Sequence, residues 1–206
     1  MDLRSFAKKP VMGIIRGIDN SDVEPLVEAV VSGGLETIEI TMNTAGAAGL
    51  IKKAKEVSGG RLAIGAGTVL YMSDLKAALE AGATFIVTPV LVADVTSYCV
   101  KNNIPVFPGA LTPAEIFAAW NAGATMVKVF PSRVVGPAYF TEIKGPFQGV
   151  KLLACGGVRP ENMKDFFDAG ADAVSFGAGV FRKDLLEKKD YVVITGLVRR
   201  FIENID

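Results

Sequence analysis

Apolar positions along the chain follow two alternating rhythms. Short runs rich in Val, Ile and Phe are separated by Ala-rich stretches whose apolar residues recur every three or four positions. The short runs predict strands over 11–15, 37–41, 62–65, 85–88, 105–107, 126–129, 151–154 and 173–176. The amphipathic stretches predict helices over 23–32, 47–57, 73–81, 93–102, 113–121, 137–144, 163–169 and 191–205. A small-Gly-apolar phrase carrying Gly34, Gly82, Gly123 or Gly170 precedes four of the strands. Glycine suits the left-handed turn that ends a helix and feeds the chain directly into a strand. Thr112, Pro113 and Glu115 combine a cap, a first-turn proline and an acid three residues on, which marks a helix start.

Strands alternating with helices in this way predict an α/β fold, a single (β/α)8 TIM barrel with parallel strands, occupying 1–206 as one domain. A doubly wound open sheet is the alternative, but no Gly-x-Gly-x-x-Gly follows the first strand.

Composition narrows the chemistry. The chain is 50% hydrophobic, and 22 basic residues balance 22 acidic ones, so nothing points to nucleic acid as a partner. No stretch approaches the roughly 20 apolar residues of a membrane span, and the first residues lack a signal-peptide core, so the expectation is a soluble, cytoplasmic protein. Cys99 and Cys155 form no metal-spaced pair. Histidine is absent altogether, which removes imidazole bases, Ser-His and Cys-His dyads and histidine-bound metals. Lysine, carboxylates, tyrosine and backbone amides are left to do any chemistry.

Against that background Lys128 stands out, because it interrupts the apolar run 124–131. One reading has it reaching solvent or pairing with a carboxylate at the strand end. The other has a working amine whose surroundings disfavour its charged form. If the strands close into a barrel, active groups lie at their carboxyl ends, where Arg16, Glu39, Thr68, Thr88, Lys128, Cys155 and Ser175 fall. Alternation puts Glu39 on one face with Thr37 and Thr41, opposite Ile38 and Ile40. It puts Lys128 with Met126 and Phe130, opposite Val127 and Val129. The β-branched faces should meet the helices, leaving Glu39 and Lys128 inside the barrel, either as chemistry or as a buried ion pair. Gly156 and Gly157 end the seventh strand, and Gly177 and Ala178 the eighth, positions where barrel loops often hold a phosphate through backbone amides.

Glu39 to Thr41, Ile64 to Val69, Val87 to Pro89, Phe107 to Gly109 with Thr112, Val127 to Ser132, Gly145 to Phe147 and Gly156 to Val158 occur in an order that resembles the 2-keto-3-deoxy-6-phosphogluconate (KDPG/KHG) aldolase family. The resemblance runs from Val11 into the last helix. It implies a metal-independent class I aldolase, with no cofactor beyond a covalent lysine imine, assembled as a homotrimer. Its substrate would be a phosphorylated 2-keto acid. Lys128 would form the imine and Glu39 act as general acid and base. Arg16, Thr68, Asn43, Pro89 and Phe130 would surround the substrate, and Gly156, Gly157, Gly177 and Ala178 would take its phosphate. A barrel that binds a phosphorylated metabolite without turnover is the reading from another class.

An imine needs a neutral amine, and a lysine at its usual pKa of about 10.4 offers under about one part in a thousand at neutral pH. The expectation is that burial and a nearby Arg16 lower that pKa by about 3 units. Two departures from the family pattern bear on substrate. Cys155 stands where a threonine is expected and Ala178 where a serine is expected. Asn43, with the Arg16–Gly17 pair, resembles the 2-dehydro-3-deoxy-6-phosphogalactonate branch, and 4-hydroxy-2-oxoglutarate is a further candidate substrate.

Overall fold

Nine strands, each parallel to its neighbours, make one sheet in the computed structural model, which describes residues 1–205. They are β1 (Val11–Ile15), β2 (Thr37–Thr41), β3 (Ala63–Gly67), β4 (Ile86–Val87), β5 (Val106–Phe107), β6 (Gly109–Ala110), β7 (Val127–Val129), β8 (Leu152–Cys155) and β9 (Ala173–Phe176). Their order across the sheet is β5-β4-β3-β2-β1-β9-β8-β7-β6, with a helix between most consecutive strands.

The two ends of that order are one stretch of chain. β5 pairs with β4 through Ile86–Val106 and Val87–Phe107, and β6 pairs with β7 through Gly109–Lys128 and Ala110–Val129. Only Pro108 separates β5 from β6. Proline has no N–H for the ladder, so the strand breaks there, but the Pro108 carbonyl still accepts the Lys128 amide at 2.9 Å. The fifth strand expected over 105–107 is β5, and beyond Pro108 the sequence pattern misses a second short piece, β6, that completes the closing of the barrel.

Side-chain alternation sorts the core into two shells. Ile38, Ile40, Val127, Val129, Leu152 and Val174 pack outward beneath the helices. Met12, Phe85, Val87, Phe107, Met126, Leu153 and Ala173 fill the barrel interior. Phe6 joins the interior group from the helix Leu3–Lys8, which covers the amino end of the strands. Its ring meets Phe107 edge-on at 6.1 Å, and Phe107 meets Phe85 at 5.8 Å. The sequence pattern does not predict this helix, because six residues with one buried position carry no periodicity.

The capping box expected at Thr112 is present: the Thr112 amide donates to Glu115 Oε2 at 2.8 Å and the Glu115 amide to Thr112 Oγ1 at 3.3 Å. The helix expected from 163 runs Pro160–Asp168, since Pro160 occupies its first turn and Asn162 Oδ1 accepts the Arg159 amide at 2.8 Å. Short helices Ser132–Val135 and Lys183–Glu187 follow β7 and β9, too brief for a pattern search. The last helix is Tyr191–Ile202. Among the described residues no helix is long and apolar enough to cross a membrane.

Candidate active site

β2 and β7 stand on opposite sides of the barrel, with β1, β9 and β8 between them, and send Glu39 and Lys128 into its upper interior. Their side chains are 1% and 7% exposed, values that few charged residues reach without function or a partner. Glu39 lies over Gly67 at the end of β3, where an added Cβ would overlap its Oε1. The glycine leaves room for the carboxyl. Glu39 Oε2 is buried with no hydrogen-bond partner, an acceptor left uncommitted within the protein.

Lys128 is placed from both sides of its strand. Its amide bonds Pro108 on β6's side, and Leu153 of β8 lies opposite it on the other. The Phe130 ring centroid is 5.4 Å from Nζ, so an aromatic face borders the ammonium. Cys155, two residues beyond Leu153, is buried beside the amine and within its electrostatic reach. The Cys155 backbone is pinned by its amide donating to Ser132 Oγ at 3.0 Å, while Ser132 donates to the Val129 carbonyl at 2.7 Å. Ser175, opposite Cys155 on β9, donates to the Ala154 carbonyl at 3.3 Å.

Burial presses on all three titratable groups. It is the largest influence on Glu39 and raises its pKa, opposed by the charges of Lys128 and Arg16. It is the largest influence on Cys155 and raises that pKa too. On Lys128, burial is again largest and acts downward, and Arg16 adds to it, as the sequence argument expects. The net direction is nevertheless upward, because anionic Cys155 and Glu39 hold the ammonium. This corrects the expectation of a depressed lysine. The pull of Cys155 needs a thiolate, however, and burial keeps Cys155 protonated at neutral pH. The pull that remains belongs to Glu39, whose own charge is disfavoured by burial, so release of the free amine and protonation of Glu39 are coupled events.

Arg16 follows β1 and is exposed, yet its charge reaches both Glu39 and Lys128. A buried Thr44 ties its loop in place: the Gly17 amide donates to Thr44 Oγ1 at 3.1 Å, and Thr41 Oγ1 lies 3.1 Å from the same atom. Thr68 has φ 54°, an uncommon conformation for a β-branched residue and one concentrated at functional sites. Pro89 follows β4, and its carbonyl crowds Gly109, the residue opposite Lys128. Asn43 sits exposed in the turn after β2 and makes no hydrogen bond among the described residues. Gly156 and Gly157 both take φ +89°, and Gly177 and Ala178 cap the neighbouring strand. Gly67 and Thr44 were not singled out by sequence reasoning, although Gly67 lies within the motif 64–69 and Thr44 three residues beyond Thr41.

The arrangement supplies a buried amine, a carboxyl with a free acceptor, a guanidinium and glycine loops around one opening. The chain matches the family described as KDPG and KHG aldolase over residues 4–197. It is 34% identical to the 2-dehydro-3-deoxy-6-phosphogalactonate aldolase of Escherichia coli, covering 85% of this chain and 86% of that one. It is 32% identical to the 2-dehydro-3-deoxy-phosphogluconate aldolase of Pseudomonas aeruginosa, covering 94% and 87%. A crystal structure of KDPG aldolase from Legionella pneumophila, with pyruvate captured at low pH as a covalent carbinolamine intermediate, superposes with TM-score 0.88 at 26% identity, covering 96% of each chain.

Proposed function

Because the chain belongs to the KDPG and KHG aldolase family, we propose that it cleaves a 2-keto-3-deoxy-6-phospho sugar acid into pyruvate and glyceraldehyde 3-phosphate through an imine on Lys128. The observation that carries this reading is the Lys128–Glu39 pair, two buried ionisable groups whose charges act on one another inside the barrel, with Glu39 Oε2 unpartnered.

Lys128 Nζ, as the free amine, adds to the substrate C2 carbonyl to give a carbinolamine, and loss of water leaves a protonated imine. Glu39, protonated while the amine is free, gives its proton to the carbonyl oxygen as the C–N bond forms, takes up the proton released from nitrogen, and passes that proton to the hydroxyl, which leaves as water. The imine then accepts the electron pair of the C3–C4 bond while Glu39 removes the C4 hydroxyl proton, so an aldehyde departs and an enamine of pyruvate remains. Protonation at C3 and hydrolysis release pyruvate and restore the amine. The Arg16 guanidinium is suited to the substrate carboxylate, and Phe130 borders the imine carbon's side.

Borohydride reduction in the presence of pyruvate should add one reduced pyruvyl group to the peptide carrying Lys128, and Lys128→Met should lose both the adduct and turnover while keeping its fold. Absence of the adduct from the unmodified protein would overturn the mechanism. Asn43, with the Arg16–Gly17 pair, favours the phosphogalactonate compound within the family, so turnover of that C4 epimer should exceed that of the phosphogluconate one. Equal or better use of the phosphogluconate compound overturns that preference.

A homotrimer is part of the same reading. Tyr71 and Val90, 67% and 55% exposed in the loops after β3 and β4, and Val134, 69% exposed in the short helix after β7, put apolar surface at the carboxyl end of the strands. A monomeric mass in sedimentation would remove it. Cytoplasmic residence follows from the substrate, since a phosphorylated sugar acid does not cross a membrane unaided, and enrichment outside the cytoplasmic fraction would contradict it.

A further inference from the structure

We propose that Arg133 is a specificity-determining residue that supplies the phosphate subsite with the charge its missing hydroxyls do not. The proposal rests on the aldolase reading above and concerns the far end of the same substrate.

Gly156 and Gly157, both at φ +89°, form a concave turn after β8. Among the described residues, no hydrogen bond within the protein uses the amides of Gly156, Gly157, Ala178 or Gly179. Successive free amides in such a turn make an anion-binding hollow. The side chains expected to complete it are absent, because position 155 carries a thiol and position 178 a methyl group. The Cys155 amide is already committed to Ser132 and its thiol faces Lys128 rather than the rim.

Arg133 stands where a replacement is needed. It begins the turn after β7, its amide donating to the Gly156 carbonyl at 2.8 Å. A Cβ on Gly157 would overlap Arg133 Cβ, and one on Gly156 would lie 3.3 Å from Phe130 Cδ2. The glycine turn is thus sandwiched between Phe130, which borders the Lys128 amine, and the root of the Arg133 side chain. In the order of these contacts, the amine is followed by Phe130, then the glycine turn, then Arg133. Arg133 is exposed, and no ion pair or side-chain hydrogen bond among the described residues uses its guanidinium. Asn162 Nδ2 holds the Gly157 carbonyl at 3.2 Å, keeping that acceptor turned away from the hollow. A guanidinium offers the planar, paired donors that phosphate oxygens accept.

The test compares Arg133→Gln and Arg133→Lys with the unmodified enzyme on two substrates, a 2-keto-3-deoxy-6-phospho sugar acid and the unphosphorylated 4-hydroxy-2-oxoglutarate. Arg133→Gln should lower the ratio of kcat/KM for the phosphorylated over the unphosphorylated substrate about 10- to 100-fold, the usual effect of one charged hydrogen bond. Arg133→Lys should restore part of it, and inorganic phosphate should inhibit the glutamine variant more weakly. A ratio equal to that of the unmodified enzyme overturns the role of Arg133. So does an equal loss on both substrates. Pyruvate trapping on Lys128, run in parallel, separates this failure from failure of the aldolase reading: an adduct with an unaltered ratio sinks Arg133 alone, whereas no adduct in any of the proteins sinks both.

Discussion

At the scale of single residues, the site turns on which group carries one proton. Burial favours neutral Lys128 with protonated Glu39, and mutual attraction favours the ion pair. Glu39→Gln removes an anion that raises the Lys128 pKa and leaves burial, which lowers it, so the lysine pKa should fall. A lower pKa means more free amine at a given pH. The pH profile of pyruvate trapping in that variant should shift to lower pH, while full turnover drops about 100- to 10,000-fold for want of the acid-base group. A trapping profile that stays put or moves to higher pH would show that Glu39 does not hold the ammonium. Lys128 and Glu39 were legible because a charge in an alternating apolar strand is conspicuous. Gly67 was not, since it acts by what it lacks, and its meaning appears only when Glu39 is laid across it.

Single elements show where local signals suffice. Thr112 and Glu115 announce a helix and the helix Pro113–Asn121 begins there, because cap, proline and acid all act within four residues. Thr112→Ala should cost about 1 kcal/mol and lower Tm by about 2–4 °C, with kcat/KM retained. A Tm unchanged in calorimetry would mean that packing of Ile116 and Ala119 holds the helix without its cap. Elsewhere the signal is nonlocal. Pro160 starts its helix three residues earlier than periodicity suggests, since exposed first-turn residues do not join the apolar stripe. Cys155 reads in the sequence as a strand-end residue standing where a threonine is expected. Only the pairing of β7 with β8 brings it beside Lys128.

For the whole molecule, the barrel and eight of its nine strands were readable, because each strand and helix is patterned by its own burial. The second piece of the closing strand, beyond Pro108, and the helix Leu3–Lys8 were not, since both depend on residues distant in the chain. Phe6 is 3% exposed and packs on Phe107 from a helix the pattern misses. Phe6→Ala should destabilise by about 3–5 kcal/mol through the cavity it opens in the amino end of the barrel. Chemical denaturation at equilibrium measures this. A loss below about 1 kcal/mol would mean that the helix Leu3–Lys8 is an appendage and not part of the core.

The junction at Pro108 couples two properties that are usually separate. The hydrogen bond from the Lys128 amide to the Pro108 carbonyl is a rung in the junction where the barrel closes and also a tether of Lys128. Opening this junction moves the amine away from Glu39 while most of the hydrophobic interior stays intact. Mild heat or denaturant should therefore extinguish catalysis at conditions where the bulk of the helical signal persists, making activity an earlier gauge of barrel opening than any spectroscopic measure of unfolding.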